Sequence, residues 1–422
     1  MRTLFVSLLG FAAFAAFAAD PVVLNRDGAW CWFQDERVLV DGHQLYVTSI
    51  SSKGDVQVNT WDLKTGAVRV FTLIDKFQID DHNVPALLLR ADGHLMAFWT
   101  THGGVSGQQK MYVRVTAKPH DTSAWEPIQT FDFGSPHGFS YANPFQLSAE
   151  NGRIYFFWRA IDFNPTWSRS DDNGLTWRTA ANHIYFQKGD RPYVKYASNG
   201  RDTIHFAYTD GHPDRPMFNN SLYHAYLRNG TLHRSDGTAI RKLEDGPVQV
   251  AEGTRIYDGR LSLKGEAWVW DLHLDPQGNP VVAYTSHIHS GDIRYRYARW
   301  NGRAWEDGEI AHAGRRLYQS QEYYAGGIAL DPDDLNTVYL SANVHPVSGE
   351  PTASGHFEIW KGTRAEGKWS FVSLTPGTTV DNLRPIVPAG HPAKNAANAF
   401  VLWYRGEYRS YTDWSTEVVA LR

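Results

Sequence analysis

Two histidines carry the chemistry most legible in this chain. His82 stands in Asp80-Asp81-His82-Asn83-Val84-Pro85, and His102 follows the run from Ala86 to Trp99. That run reads as strand, Asp92-Gly93 turn, strand, because short apolar segments flank a turn dipeptide. A hairpin returns its ends to one edge, so His82 before the first strand and His102 after the second share a rim. Two imidazoles at one rim form a plausible proton-transfer pair, since imidazole ionises near neutral pH. A lone strand-end histidine is more often a hydrogen-bonded structural residue, so the reading depends on what gathers around the pair.

Other polar residues fall at comparable hairpin ends. Tyr141 lies in Phe139-Ser-Tyr-Ala-Asn-Pro-Phe145, and Arg159 follows Tyr155-Phe-Phe-Trp158. Arg191 and Tyr193 precede the next hairpin, and Tyr208 ends it. This set holds bases, phenols and cations, which suit β-elimination at a uronic acid. A cation neutralises the C5 carboxylate, a base removes the C5 proton, and an acid protonates the leaving oxygen at C4. A glycoside hydrolase of the usual kind needs two opposed carboxyl groups; Asp80 and Asp81 are adjacent and on one hairpin. Asn83, Arg191, Tyr193, Lys195 and Arg384 are the candidate substrate-binding residues, with Lys195 and Arg384 suited to a sulfate. Each residue also has a plain structural reading: a strand-end tyrosine commonly packs with its hydroxyl satisfied, and Arg159 has Asp162 as a possible surface partner. His212, His287, His289, Asp292 and His345 match no strong metal motif and read as solvated loop residues, with any metal site left open.

These residues need a scaffold that brings hairpin ends together. The strand–turn–strand pattern occurs seven times: Val38–Thr48, Ala86–Trp99, Leu147–Trp158, Lys195–Tyr208, Leu272–Tyr284, Ile328–Ser341 and Pro385–Trp403. Seven such units predict an all-β, seven-bladed β-propeller, a single domain over residues 20–422. A β-sandwich pair or a β-solenoid is the alternative. Ser170-Asp-Asp-Asn-Gly-Leu-Thr-Trp177 fits the Asp-box pattern S-x-D-x-G-x-T-W, a hairpin-turn device that carries no catalysis.

The chain has 422 residues, 42% hydrophobic and 14% aromatic, with 16 Trp and 21 Tyr. That suits β-structure and surfaces that stack on sugar rings. A net charge of -4 provides no basic field for nucleic acid. Residues 1–19 read as a signal peptide, with Arg2, an apolar Leu4–Ala16 run and a small-residue cleavage site. The expected location is secreted or periplasmic, with no membrane association after cleavage, and the expected state is a monomer. The single cysteine, Cys31, permits no intrachain disulfide and no multi-cysteine zinc site.

Several motifs carry a family resemblance: Trp30-Cys-Trp-Phe-Gln-Asp35, Asp81-His-Asn-Val-Pro85, Tyr141-Ala-Asn-Pro144, Arg191-Pro-Tyr-Val-Lys-Tyr196, Tyr208-Thr-Asp-Gly-His-Pro213, Arg294–Trp300, Tyr324-Ala-Gly-Gly-Ile328 and Asn382-Leu-Arg-Pro385. On these the chain resembles the secreted BNR-repeat propellers that include ulvan lyases and related rhamnosyl-glucuronate lyases. The resemblance implies cleavage of rhamnose-(1→4)-uronate linkages in an anionic polysaccharide, ulvan first and arabinogalactan or gum arabic as the alternative. It implies His82 and Tyr141 as acid/base groups, His102 and Arg159 beside them, and Tyr208 as a further site tyrosine. No cofactor is implied for catalysis, and a structural metal ion stays open. Two departures stand out. The cysteine-held zinc of some ulvan lyases has no counterpart here. Gln34 occupies the position where related rhamnosidase-like propellers carry a histidine, which argues against hydrolysis from that face. A rhamnosidase- or sialidase-like hydrolase and a non-catalytic glycan-binding propeller are the rival classes.

Overall fold

Apolar alternation on either side of a tight turn builds each hairpin, and all seven expected hairpins form. In the computed structural model, which describes residues 20–103, 110–134, 139–178, 180–187, 191–213, 220–261, 265–289, 291–391 and 399–422, each opens its own antiparallel sheet. The opening strand pairs are Val38–Asp41 with Gln44–Ile50 and Ala86–Leu89 with Leu95–Trp99. Next come Ser140–Leu147 with Arg153–Arg159 and Val194–Ser198 with Thr203–Thr209. Glu266–Leu274 with Pro280–His289, Ile328–Leu330 with Thr337–Ala342, and Asp381–Ile386 with Val401–Ser410 complete the set. Seven sheets of four or more strands are the blades of the expected propeller. Blade four is extended to six strands, because Thr254–Tyr257 returns to pair with Leu222–Arg228. The signal segment lies outside the described residues. No helix of the described residues is long and apolar enough to cross a membrane.

Two features join distant parts of the chain. Val22–Asn25 is the outermost strand of blade seven, antiparallel to Asp413–Leu421, with Val22 opposite Ala420. The ring is thus closed by segments near both ends of the chain, with Val22–Asn25 covering the outer edge of Asp413–Leu421. The segment from Trp30 to Asp35 fills the centre, and five blades hold it. Trp30 Nε1 donates to the Arg384 carbonyl, Trp32 Nε1 to that of Val269, and Gln34 Nε2 to that of His82. The Asp35 amide donates to Asn143 Oδ1, and Lys195 Nζ donates to the Trp32 carbonyl. Trp32 stacks on Trp270 with centroids 4.0 Å apart. Trp30, Trp32, Trp99, Trp158, Trp268 and Trp403 are all fully buried, each worth on the order of 5 kcal/mol by area.

Between blades, aromatic faces pack in the same way, as in Phe98 on Phe156. The Asp box closes the turn after Pro165–Ser170. Asp172 accepts from Ser170 Oγ and from the Thr176 amide, and Trp177 packs edge-on against Phe98 and Phe156.

Candidate active site

His82 sits in a single 3-10 turn, Asp81–Asn83, immediately before the first strand of blade two. Asp80 caps the turn through its carboxylate, which accepts from the His82 amide, and Pro85 stops its extension. The turn is pinned from two sides: the Asp81 amide donates to the Tyr411 carbonyl, and the Cys31 amide donates to the Asp81 carbonyl. His102 follows the second strand of the same blade and is tied through its backbone to the side chain of Gln78. The two imidazoles stack 4.0 Å apart with planes inclined by 12°. Nδ1 of His82 lies 2.7 Å from Asp80 Oδ1, and Nδ1 of His102 lies 2.7 Å from Asp80 Oδ2. Tyr411 meets both rings edge-on. The Tyr324 hydroxyl lies 3.3 Å from His82 Nε2.

The environment separates the two rings. Burial opposes charge on His82, yet the groups around it, the Asp80 carboxylate among them, outweigh it and hold its pKa well above the ordinary imidazole value. Burial lowers His102 to about 4, aided by the neighbouring His82 and opposed by Asp80. Asp80 is held well below the usual carboxylate range, because the two imidazoles overcome its burial.

Blade three supplies the phenol and the guanidinium. Opposite its second strand, Ser140 pairs with Arg159 and Asn143 with Phe157, so the register shifts between them. Tyr141 sits in that bulge at φ 69°, a left-handed conformation costly for a non-glycine residue. Asn143 holds the bulge by donating to the Tyr141 and Phe33 carbonyls. The bulge aims the phenol at the imidazoles, with its ring 5.6 Å from His82 and 6.4 Å from His102. Burial raises the Tyr141 pKa well above the ordinary phenol value, so it rests as a neutral acid. Arg159 lies over the Tyr141 ring at 4.7 Å and donates through Nη1 to the Tyr193 hydroxyl at 2.9 Å. Its buried Nε has no hydrogen-bond partner among the described residues.

Five expected site residues thus form one cluster: His82, His102, Tyr141, Arg159 and Tyr193. Others go elsewhere. Tyr208 is a correction: its side chain is fully buried inside blade four, stacked on Tyr223 with its hydroxyl donating to the Val250 carbonyl. Lys195 is another, buried in the centre and paired with Asp35 at 2.5 Å. So is Arg384, which is 1% exposed and bound to Asp81 at 2.6 Å, with Tyr408 completing the cluster. Neither cation is free for a sulfate. Asn83 is buried beside His82, with its amide donating to Gln78. Arg191 lies over the Phe163 ring at 5.1 Å. Arg159 is buried rather than surface-paired.

The second histidine group divides. His289 and His345 are exposed, as expected. His212 and His287 are buried instead, His212 against Tyr193 and Trp268, and His287 against Thr285 and Tyr323. Sequence reasoning passed over Tyr324 and Tyr411 as site residues. Tyr324 precedes the first strand of blade six, as Tyr193 precedes that of blade four, so its signal was available. Tyr411 lies in a hairpin turn and had none.

Among the described residues, three groups could offer ligands to a metal: Cys31, Asp81 and His82; Asp80, His82 and His102; and Asp331, Asp333 and His391. In the first, Asp81 already pairs with the Arg384 cation. In the second, both Nδ1 atoms are engaged by Asp80. The third lies at the hairpin-turn end of blade six, away from the imidazoles.

Residues 44–313 match the profile of the family described as BNR repeat-containing family members. An ulvan lyase of Pseudoalteromonas sp. (strain PLSV) is 27% identical over 299 residues, covering 63% of this chain and 58% of the relative. An ulvan lyase of Nonlabens ulvanivorans is 24% identical over 283 residues, covering 57% of this chain and 56% of the relative. The chain therefore spans little more than half the length of these relatives. A solved structure of an ulvan lyase bound to -[GlcA(1-4)Rha3S]- superposes with a TM-score of 0.69 at 16% identity, covering 94% of this chain and 95% of that one. The profile match spans most of the propeller and includes the blades that carry both imidazoles, the Tyr141 bulge and Arg159, and on it the chain belongs to the BNR repeat-containing family.

Proposed function

We propose that this protein is a polysaccharide lyase that cleaves rhamnose-(1→4)-uronate linkages by β-elimination, with ulvan as its first substrate. One observation carries the reading: a stacked imidazole pair, a neutral phenol and a guanidinium whose Nε has no partner among the described residues meet in one cluster. In the proposed reaction Arg159 binds the C5 carboxylate and stabilises the charge that spreads into it. An imidazole of the pair takes the C5 hydrogen as a proton. The C5–H electrons form the C4=C5 double bond, and the C4–O bond breaks with Tyr141 protonating the departing oxygen. Proton exchange with solvent then restores both groups. No step requires a cofactor. The names of the relatives support the substrate class, as does the oligosaccharide bound in the superposed structure.

A second reading keeps the chemistry and changes the polymer. Lys195 and Arg384 are locked in buried ion pairs, which favours an unsulfated rhamnosyl-glucuronate glycan such as arabinogalactan. A secreted or periplasmic monomer is the form in which either glycan would be met. Ultraviolet absorbance over time, with ulvan and then gum arabic, tests both readings. A rise from the unsaturated uronate supports elimination, and the responding polymer names the substrate. New reducing ends without that rise would replace the lyase with a hydrolase.

A further inference from the structure

Blade one turns a polar sheet face towards blade two. Gln44–Ile50, Val56–Asp62 and Val68–Ile74 are adjacent antiparallel strands of that blade. Tyr46 stands opposite Thr60, and Thr60 opposite Arg69, so the three side chains form one row on one face. Asp41, Gln44 and Asp62 form the next row on that face, two residues along each strand. Where blades two and three meet, Phe98 packs on Phe156. Here residues 120–123 of blade two face the polar rows across a cleft of about 610 Å³, a size that suits a small ligand.

The cleft is separate from the imidazole pair. The His120 amide donates to the Gly93 carbonyl in the hairpin turn of blade two. Its Nδ1 donates to Asp41 Oδ2 at 2.6 Å, across the seam between the blades. That turn is the end of blade two opposite His82 and His102.

Several polar groups in the cleft are left without partners. Tyr46 is 2% exposed yet lines it. The hydroxyls of Tyr46 and Thr60 have no hydrogen-bond partner among the described residues, and the exposed Arg69 makes no ion pair among them. Burial, then the Asp41 and Asp121 carboxylates, push the Tyr46 pKa up to about 12, so the phenol stays neutral.

We propose that the cleft between blades one and two binds a neutral sugar unit of a glycan. A sugar hydroxyl both donates and accepts. The cleft answers both roles, with Arg69 as donor, Asp41 and Asp121 as acceptors, and the Tyr46 and Thr60 hydroxyls able to act as either. The partly buried Phe71, two residues from Arg69, adds an apolar ring to the lining for the C–H face of the sugar. Three carboxylates, Asp41, Asp62 and Asp121, stand against one guanidinium, which disfavours a uronate or a sulfate. Among the described residues, no set of cleft side chains lies close enough to share one metal ion. The cleft is therefore an accessory glycan site, whichever reaction the His82 cluster performs.

Saturation-transfer NMR on the whole protein tests this, with galactose, arabinose, rhamnose and glucuronate as separate probes. At least one neutral sugar should receive saturation, and glucuronate should bind more weakly than it. Tyr46→Phe should raise the Kd of that sugar about fivefold, and Arg69→Ala about tenfold. Arg69 is exposed, so its variant decides the matter should the Tyr46 variant fold poorly. Arg159→Ala, in the imidazole cluster, should leave the Kd unchanged. No transfer to any of the three neutral sugars at about 10 mM overturns the proposal. So does a Kd unchanged in both cleft variants, a signal lost only in Arg159→Ala, or glucuronate binding more tightly than every neutral sugar.

Discussion

Removing one oxygen atom separates chemistry from structure at this site. In Tyr141→Phe the ring contacts to Phe33, His82 and Tyr193 persist, at centroid distances of 5.1, 5.6 and 5.8 Å. The Arg159 guanidinium stays over the ring at 4.7 Å. The lost hydroxyl has no hydrogen-bond partner among the described residues, so stability should change by no more than about 0.5 kcal/mol. A general acid contributes about 10²–10⁴ in rate, or about 3–5 kcal/mol of barrier. The variant should therefore lose two or more orders of magnitude in kcat while its unfolding midpoint holds. Tyr208→Phe is the matched control. There the hydroxyl donates to the Val250 carbonyl at 3.2 Å inside blade four, so about 1 kcal/mol of stability should go with the rate unchanged. The assay is the growth of unsaturated-uronate absorbance on ulvan, with thermal unfolding measured in parallel. A Tyr141→Phe enzyme within threefold of wild type, or a Tyr208→Phe enzyme as impaired as it, would refute the acid assignment.

Two further outcomes follow from the buried charges. Arg384→Met leaves Asp81, which is 0% exposed, without its cation, and should cost about 3–5 kcal/mol in denaturant unfolding; loss of ulvan affinity at unchanged stability would instead return Arg384 to the binding surface. His183 is buried, and burial pushes it down to about 3. Its folded state stays neutral while the unfolded chain takes up a proton below about 6.5. Stability should therefore fall as pH drops from 6.5 towards 3, by about 2 kcal/mol at pH 5 from this residue. His183→Phe, packed against Phe157 and Phe206, should flatten that slope, and an unchanged slope between pH 7 and 5 would assign the acid sensitivity elsewhere.

The fold was readable because its signals are local. A hairpin needs only two short apolar runs and a turn, and each of the seven was visible within about 20 residues or fewer. The Asp box likewise ties Ser170 to Asp172 and Thr176 within one turn. The rim position of His82 and His102 followed from a single hairpin, and Tyr141 and Arg159 followed from the ends of the next one. The residues misread share another property: long stems or rings whose partners are remote in sequence. Arg384 meets Asp81 across 303 residues, and Lys195 meets the Trp32 carbonyl across 163. Tyr208 points into its own blade, where the Val250 carbonyl accepts its hydroxyl.

Strand pattern, repeat number and the types of residue at hairpin ends were therefore set by the sequence alone, since periodicity and turn chemistry act between neighbours. Tertiary structure decided which of those residues stay available. It threaded Trp30–Asp35 through the centre, closed the ring with Val22–Asn25, and put one carboxylate between two imidazoles. Burial and ion pairing depend on which segments meet in space, and in a closed ring those are segments from opposite ends of the chain.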